Sequence, residues 1–168
     1  TFKYETYIVD ELVPFIDKKY KTIASPAGRA ISGLSMGGHG ALYLSFKHQD
    51  VYGASGSMSG GVDIRPFPEN WDIKKRLGSI TDFPENWNKN TIINMLNLVG
   101  NNHLKLIIDC GVDDFFIEVN RKLHEKMLSL KSTHDYIERP WKHNLDYWEN
   151  SLKFQLLFFN NFFKQTVN

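Results

Sequence analysis

The fold of this chain is decided by residues 29–42, which read Arg29-Ala30-Ile31-Ser32-Gly33-Leu34-Ser35-Met36-Gly37-Gly38-His39-Gly40-Ala41-Leu42. They contain a G-x-S-x-G pattern between a short apolar run and a longer helix-forming one. A sharp strand-to-helix turn lifts a serine hydroxyl clear of the backbone, and Gly33 and Gly37 would remove Cβ atoms that crowd it. The stretch predicts a nucleophile elbow at Ser35. The alternative is a glycine-rich turn that packs a helix on a strand.

Strands alternate with helices along the rest of the chain. Short runs of apolar or small residues predict strands at 29–32, 53–61, 104–110 and 136–139. Helical spacing predicts helices at 6–20 (kinked or restarted at Pro14), from the elbow to about 48, and at 91–99, 115–130 and 147–163. This alternation predicts a single α/β domain over residues 1–168, with a mostly parallel sheet flanked by helices.

The last predicted helix carries large apolar residues on one face, with two more phenylalanines widening it. This face comprises Leu152, Leu156, Phe159 and Phe163, and its widening residues are Phe158 and Phe162. We expect it to pack on the sheet rather than to meet a cofactor or a membrane.

Two further loops that follow predicted strands carry a carboxylate and a histidine. Parallel sheets place their active sites at the carboxyl ends of strands, and Asp113, Asp114 and His143 all come just after one. A serine hydroxyl needs a base, and histidine, with a pKa of about 6.5, suits that role. Since the other five histidines lie in helices, before strands or beside the serine, we expect His143 to be the base for Ser35.

The base in turn needs a carboxylate that orients it. Asp113 and Asp114 qualify equally by position, and one could orient the histidine while the other caps the following helix. The order Ser…Asp…His is the one found in α/β-hydrolases. The backbone N–H of Met36, directly after the nucleophile, is expected in the oxyanion hole. A second donor would come from a loop after an earlier strand, for which the sequence shows no candidate.

A long irregular segment, residues 62–91, follows the second predicted strand. Within it Phe67-Pro68-Glu69-Asn70-Trp71 recurs as Phe83-Pro84-Glu85-Asn86-Trp87. One interpretation is two helix starts, each with proline in the first turn and tryptophan packed inward. The other is a lid or substrate wall over the serine, since long irregular segments in compact domains are often functional.

Composition argues against several other classes of function. A net charge of +1 offers no electrostatic attraction for nucleic acid or anionic membrane, and no apolar run approaches the ~20 residues of a membrane span. The single cysteine, Cys110, ends an apolar run and is expected to be a buried, inert thiol. With no H-E-x-x-H cluster and no phosphate loop, we expect no metal, cofactor, nucleic-acid partner or membrane partner.

Three stretches together resemble the esterase D / feruloyl esterase / antigen 85 group of α/β-hydrolases. They are Gly33 to Leu42, Asp109-Cys110-Gly111-Val112-Asp113-Asp114-Phe115 and His143-Asn144-Leu145-Asp146-Tyr147-Trp148. The resemblance covers most of residues 5–165. It implies the α/β-hydrolase fold, and it favours Asp114 over Asp113, because the second acidic residue of this turn is usually the triad member in the group.

The resemblance also marks two departures. Domains of the group extend further at the amino end, so the chain is expected to correspond to the carboxyl-terminal two-thirds of such a domain, without its first strands and the second oxyanion donor. The loop before His143 usually carries glycine or alanine in the group, where this chain has Trp141-Lys142. That difference concerns pocket shape more than mechanism.

The expected function is that of a serine carboxylesterase with an acyl-serine intermediate and with Ser35, Asp114 and His143 as its catalytic residues. Small-molecule or carbohydrate esters, such as acyl or feruloyl esters of sugars, are the expected substrates. The alternatives are an acyltransferase, an S-formylglutathione-type thioesterase, or a non-catalytic fragment or binding module. A carbohydrate esterase would be periplasmic or secreted, and a thioesterase cytoplasmic.

Overall fold

A four-stranded parallel sheet forms the centre of the computed structural model, which describes residues 3–100 and 103–166. Its strands lie side by side in chain order: β1 (Ala30–Leu34), β2 (Ala54–Met58), β3 (Lys105–Gly111) and β4 (Asp135–Arg139). All three pairings are parallel, with Ala30 opposite Ala54 and Met58 opposite Asp109. The predicted α/β class with a parallel sheet is confirmed.

Helices cover both faces of this sheet. They are α1 (Tyr4–Thr6), α2 (Val13–Lys19), α3 (Met36–Lys47), α4 (Ile73–Leu77), α5 (Pro84–Lys89), α6 (Ile117–Ser129) and α7 (Leu145–Thr166). Helices α3 and α6 pack on one face, where Leu42 and Leu123 share a buried core with Ile108. Helix α7 lies on the other face. No helix within the described ranges is both long and apolar enough to cross a membrane.

The amino-terminal helix is continuous but changes its hydrogen-bond spacing before Pro14. Residues Tyr7–Leu12 form a π-helical segment between α1 and α2, and the N–H of Val13 donates to the carbonyl of Ile8, five residues back. Proline has no N–H to donate, so residue 14 cannot make an α-helical hydrogen bond. The wider π-helical turn lies directly before this position. The kink or restart expected at Pro14 takes this form.

The helix expected at 91–99 is instead a pair of 3₁₀ turns, Ile92–Asn94 and Leu96–Leu98. Ile93, Leu96 and Val99, spaced three residues apart, are all buried in the core beneath α3 and α6. A 3₁₀ turn brings residues three apart closer to one line than an α-helix does.

The packed face of α7 differs from the expected one. Leu152 and Leu156 are 45% and 59% exposed, whereas Ser151 and Gln155 are buried against the sheet. The reason lies in β3, where the buried carboxylate of Asp109 requires hydrogen-bond donors that an apolar helix face could not supply.

Candidate active site

Ser35 stands on a strained turn between β1 and α3. Its backbone has φ 53° and ψ −118°, a conformation that residues with a Cβ rarely adopt, and α3 begins at the next residue, Met36. The N–H of Ser35 donates to the carbonyl of Met58, which ties the turn to the end of β2 at 2.8 Å. Strain of this kind persists only where the surroundings impose it, and it is concentrated at functional sites.

The two glycines that flank the serine are not equivalent. A Cβ on Gly33 would lie 2.4 Å from the backbone carbon of Gly37, so the close approach of strand and helix requires glycine at 33. A Cβ on Gly37 would meet no atom within 4 Å. The expectation that both glycines relieve crowding is therefore wrong for Gly37.

His143 lies between the serine hydroxyl and a carboxylate. Its Nε2 is 2.9 Å from Ser35 Oγ, and its Nδ1 is 2.8 Å from Asp114 Oδ2. An ionised carboxylate can only accept, so Nδ1–H donates to Asp114 and the lone pair of Nε2 accepts the hydroxyl proton of Ser35. The residues expected from the three loops are thus brought within hydrogen-bond distance of one another.

The structure separates the two neighbouring aspartates. The side chain of Asp114 is fully buried, and its second oxygen accepts the N–H of Phe116 at 2.8 Å, just before α6. Asp113 is exposed, and its backbone N–H donates to the carbonyl of Trp141. Asp114 therefore both contacts the histidine and accepts the backbone N–H of Phe116 directly before α6, whose own N-cap residue makes no side-chain capping bond, so the expected division into an orienting and a capping aspartate is not found.

Met36 occupies the position expected of an oxyanion donor. It is the first residue of α3, where backbone N–H groups have no acceptor within the helix and the helix dipole is positive. Its side chain is 85% exposed.

The loop before His143 is held against the loop that carries Asp114. Trp141 has φ 95°, and its carbonyl accepts the N–H of Asp113. A Cβ on Gly111 would lie 2.2 Å from that same carbonyl oxygen. The two loops approach each other so closely only because residue 111 is glycine.

Aromatic rings surround the imidazole of His143. Ring centroids of Phe115, Trp148 and Phe116 lie 4.3, 4.9 and 5.5 Å from it, and Trp71 stacks on Phe115 at 5.8 Å. Trp71 and Phe115 are 55% and 51% exposed, so this stacked pair presents ring surface to solvent on the side of Phe115 that adjoins His143's loop. We call Trp71 and Phe115 the aromatic wall.

Sequence reasoning had no means of finding most of these rings. The segments that contain Trp71, Phe115 and Trp148 lie far apart in the chain, so nothing in the sequence indicates that the three rings meet. Phe115 and Trp148 belong to stretches that resemble the esterase group, and Trp71 ends the repeated pentapeptide, but none of these patterns predicts a ring beside His143.

The two copies of that pentapeptide adopt different structures. Pro84 of the second copy opens α5, and Trp87 is fully buried with its indole N–H donating to the carbonyl of Gly78. The first copy forms turns, and α4 begins only after Trp71 and Asp72, which have φ values of 54° and 57°. The helix-start interpretation thus fits the second copy, while a wall or lid role for residues 62–91 stays a prediction.

Other titratable groups near the site have structural partners. His39 in α3 donates from Nδ1 to the carbonyl of Gly61, and burial lowers its pKa, so it is neutral. Burial likewise raises the pKa of the Cys110 thiol, which is fully buried in β3. Among residues 3–100 and 103–166, no three His, Cys, Asp or Glu side chains are grouped so that they could hold a metal ion.

Comparison with known proteins adds three findings. A family model described as "Putative esterase" matches residues 1–159. The solved structure of a ferulic acid esterase superposes with a TM-score of 0.81 at 29% identity, over 96% of this chain and 62% of that one. The S-formylglutathione hydrolase FrmB from Staphylococcus aureus gives a TM-score of 0.79 at 19% identity, over 98% and 64%.

A curated relative matches over a shorter stretch. The endo-1,4-beta-xylanase/feruloyl esterase of Xylanibacter ruminicola is 39% identical over 60 residues, which are 36% of this chain and 8% of the relative. The chain spans less than two thirds of the solved structures above, and between 8% and 18% of the curated relatives compared. The structural neighbours share the α/β-hydrolase fold.

Proposed function

This chain belongs to the esterase family, and on that premise we propose that it hydrolyses carboxylic esters through an acyl-serine intermediate. The observation that carries the proposal is the pair of contacts made by His143, at 2.9 Å to Ser35 and 2.8 Å to Asp114. A hydroxyl, an imidazole and a carboxylate in this order constitute the machinery of serine acyl transfer.

Each residue has a defined role in the proposed reaction. His143 Nε2 takes the proton of Ser35 Oγ while that oxygen bonds to the ester carbonyl carbon, and Asp114 stabilises the resulting imidazolium. His143 then gives the proton to the departing alcohol oxygen, which leaves an acyl-serine. Water, deprotonated by His143, repeats the attack and releases the carboxylic acid, and the proton returns to Ser35.

The tetrahedral intermediate carries its negative charge on the former carbonyl oxygen. We assign its stabilisation to the backbone N–H of Met36, at the positive end of the α3 dipole. Such a donor acts in the transition state more than in the ground state, and its loss typically costs about 10²–10³ in kcat.

We further propose that the substrates are esters with an aromatic acyl group, such as feruloyl esters of carbohydrates. The aromatic wall supports this, because Trp71 and Phe115 expose stacked rings next to His143. Aromatic pairs contribute roughly 0.5–1.5 kcal/mol beyond the area that they bury. The names of a solved neighbour and a curated relative, a ferulic acid esterase and a xylanase/feruloyl esterase, agree with this substrate class.

The test is turnover of p-nitrophenyl acetate and labelling by a fluorophosphonate, each with the wild-type chain and with Ser35→Ala. We expect the substitution to abolish labelling and to lower kcat by about 10³-fold or more, since the triad acts as a unit. Ser129→Ala, at an exposed serine of α6, is the matched control and should keep both activities.

Three outcomes would change the proposal. Unchanged turnover in Ser35→Ala would remove Ser35 from the mechanism. A wild-type chain that neither reacts with the probe nor turns over esters would favour a binding module. Acyl products formed on added alcohols, or a preference for thioesters, would favour the acyltransferase or thioesterase alternatives over hydrolysis of oxygen esters.

A further inference from the structure

We propose that Asp109, a residue outside the triad, is a positioning residue for His143 and acts through the first turns of α7. This inference rests on the proposed function, since it assigns Asp109 a part in the same reaction. It begins with an unusual feature of the core: a carboxylate in β3 that is 0% exposed.

The carboxylate of Asp109 accepts hydrogen bonds from three side chains of one helix face. Tyr147 donates to Oδ1 at 3.0 Å, Ser151 to both oxygens at 2.6 Å, and Gln155 to Oδ2 at 2.8 Å. The three donors recur every four residues along α7 and are at most 1% exposed. Gln155 Oε1 in turn accepts the hydroxyl of Ser32, so the network reaches from β3 to β1.

This network is costly as a device for stability alone. Burial raises the pKa of Asp109, while the hydrogen bonds from α7 and the charge of Arg139 act in the opposite direction. Arg139 itself stacks on the ring of Phe154 at 3.8 Å. Apolar side chains of similar volume often stabilise a core as well as a buried charge does, so the network calls for a role in orientation.

The group that this network orients is the imidazole of His143. His143 lies two residues before α7, where the side chain of Asn144 accepts the N–H of Tyr147. Trp148, next to Tyr147 on the first turn, sets its ring edge-on to the imidazole at 4.9 Å and 86°. Fixing Tyr147 on Asp109 therefore fixes the surface against which His143 rests.

The other side of His143 is anchored to the same strand. The carbonyls of Arg139 and Trp141 accept the N–H groups of Val112 and Asp113, directly after β3. The strand that ends in the Asp114 loop thus also holds both flanks of the histidine loop. A shift of α7 relative to β3 would change the distance between His143 and Asp114, and a misplacement of about 1 Å can cost about 10²-fold in rate.

The experiment compares Asp109→Asn, Tyr147→Phe, their double variant and Phe162→Ala in the full chain. Phe162 is buried on the same helix, about 22 Å along α7 from Tyr147, and controls for general loosening of the helix. We expect Asp109→Asn to lower kcat for p-nitrophenyl acetate by about tenfold or more with KM changed less than about twofold, and to move the acid limb of kcat/KM to lower pH.

Tyr147→Phe separates position from charge, because it removes a hydrogen bond without changing the carboxylate. It should show a smaller loss of kcat, and the double variant should lose no more than Asp109→Asn alone, since both changes break the same link. Phe162→Ala should lower the melting temperature and leave kcat and the pH profile unchanged.

A second readout does not depend on catalysis. The low-field proton resonance of His143 Nδ1–H, assigned by its loss in His143→Gln, reports the bond to Asp114 directly. We expect it to weaken or move in Asp109→Asn and to persist in Phe162→Ala, whether or not the wild-type chain turns over esters. Unchanged kcat, pH profile and resonance in Asp109→Asn, with only a lower melting temperature, would overturn the positioning role.

Discussion

Trp141 occupies a backbone conformation that suits glycine. Its φ of 95° costs a residue with a Cβ roughly 1–2 kcal/mol, and its side chain is 48% exposed. The surroundings hold this conformation in place, because the carbonyl of residue 141 must turn toward Gly111 and Asp113.

We predict that Trp141→Gly is more stable than Trp141→Ala by roughly 1 kcal/mol. Both variants lose the same indole, so the comparison isolates the backbone. Glycine normally costs about 0.5–1 kcal/mol through the unfolded chain, which makes the sign of the difference informative. Urea unfolding of the two variants measures it, and an alanine variant that is equally or more stable would contradict the strained conformation.

The residues of the candidate site could be anticipated because chemistry restricts them to few types. Ser35 can be recognised from the glycines around it, and His143 and Asp114 from their positions directly after predicted strands. The choice between Asp113 and Asp114 depended on resemblance, since spacing alone places both at the same edge. Which of the two carboxylates turns inward depends on how the histidine loop packs against the loop after β3. The spacing of residues in the sequence does not determine that packing.

At the scale of elements, the repeated pentapeptide provides a test with matched residues. Trp71 and Trp87 end identical stretches, yet Trp71 is 55% exposed on the aromatic wall and Trp87 is fully buried with a hydrogen bond to Gly78. Their side chains should therefore affect different properties of the chain.

We predict that Trp71→Ala raises KM for a feruloyl ester by about two- to tenfold, the equivalent of one aromatic contact, and leaves KM for p-nitrophenyl acetate unchanged. The stability of Trp71→Ala should differ little from that of the wild type, and Trp71→Phe should retain most of the affinity for the feruloyl ester.

Trp87→Phe should lose about 1–3 kcal/mol of stability, since the carbonyl of Gly78 loses its donor, and the KM values for both substrates should be unchanged. Equal KM effects at the two positions would contradict the wall.

Helix α7 shows why element boundaries were easier to predict than element faces. Its apolar residues lie on more than one side, so their periodicity could not select the face that meets the sheet. The buried stripe of Tyr147, Ser151 and Gln155 is polar and becomes intelligible only beside Asp109. A donor stripe and its acceptor lie on different elements, and no local pattern connects them.

At the scale of the whole molecule, buried titratable groups determine how stability depends on pH. Burial lowers the pKa of His39, so the folded chain resists a proton that the unfolded chain accepts below about 6.5. Stability is therefore lost as the pH falls from about 6.5 toward the folded pKa, by up to about 1.4 kcal/mol per pH unit. The pKa of Glu138 is lowered by hydrogen bonds from Arg121, and the stability it contributes is lost only as the pH falls below about 4.

We predict that His39→Gln weakens the loss of stability between pH 7 and pH 5.5. Glutamine can keep a donor for the carbonyl of Gly61 but cannot take a proton. Urea unfolding at several pH values measures the slope in each variant. His124→Gln is a second variant for comparison, because burial and the neighbouring His134 lower the pKa of His124 as well.

Because both histidines act in the same direction, each substitution should make the free energy of unfolding depend less on pH in this range. If the free energy of unfolding fell equally steeply with decreasing pH in His39→Gln and in the wild type, His39 would be protonated as readily in the folded chain as in the unfolded one. In that case the ring of His39 would be open to water in the folded chain near neutral pH, although its protonated form could still donate to the carbonyl of Gly61.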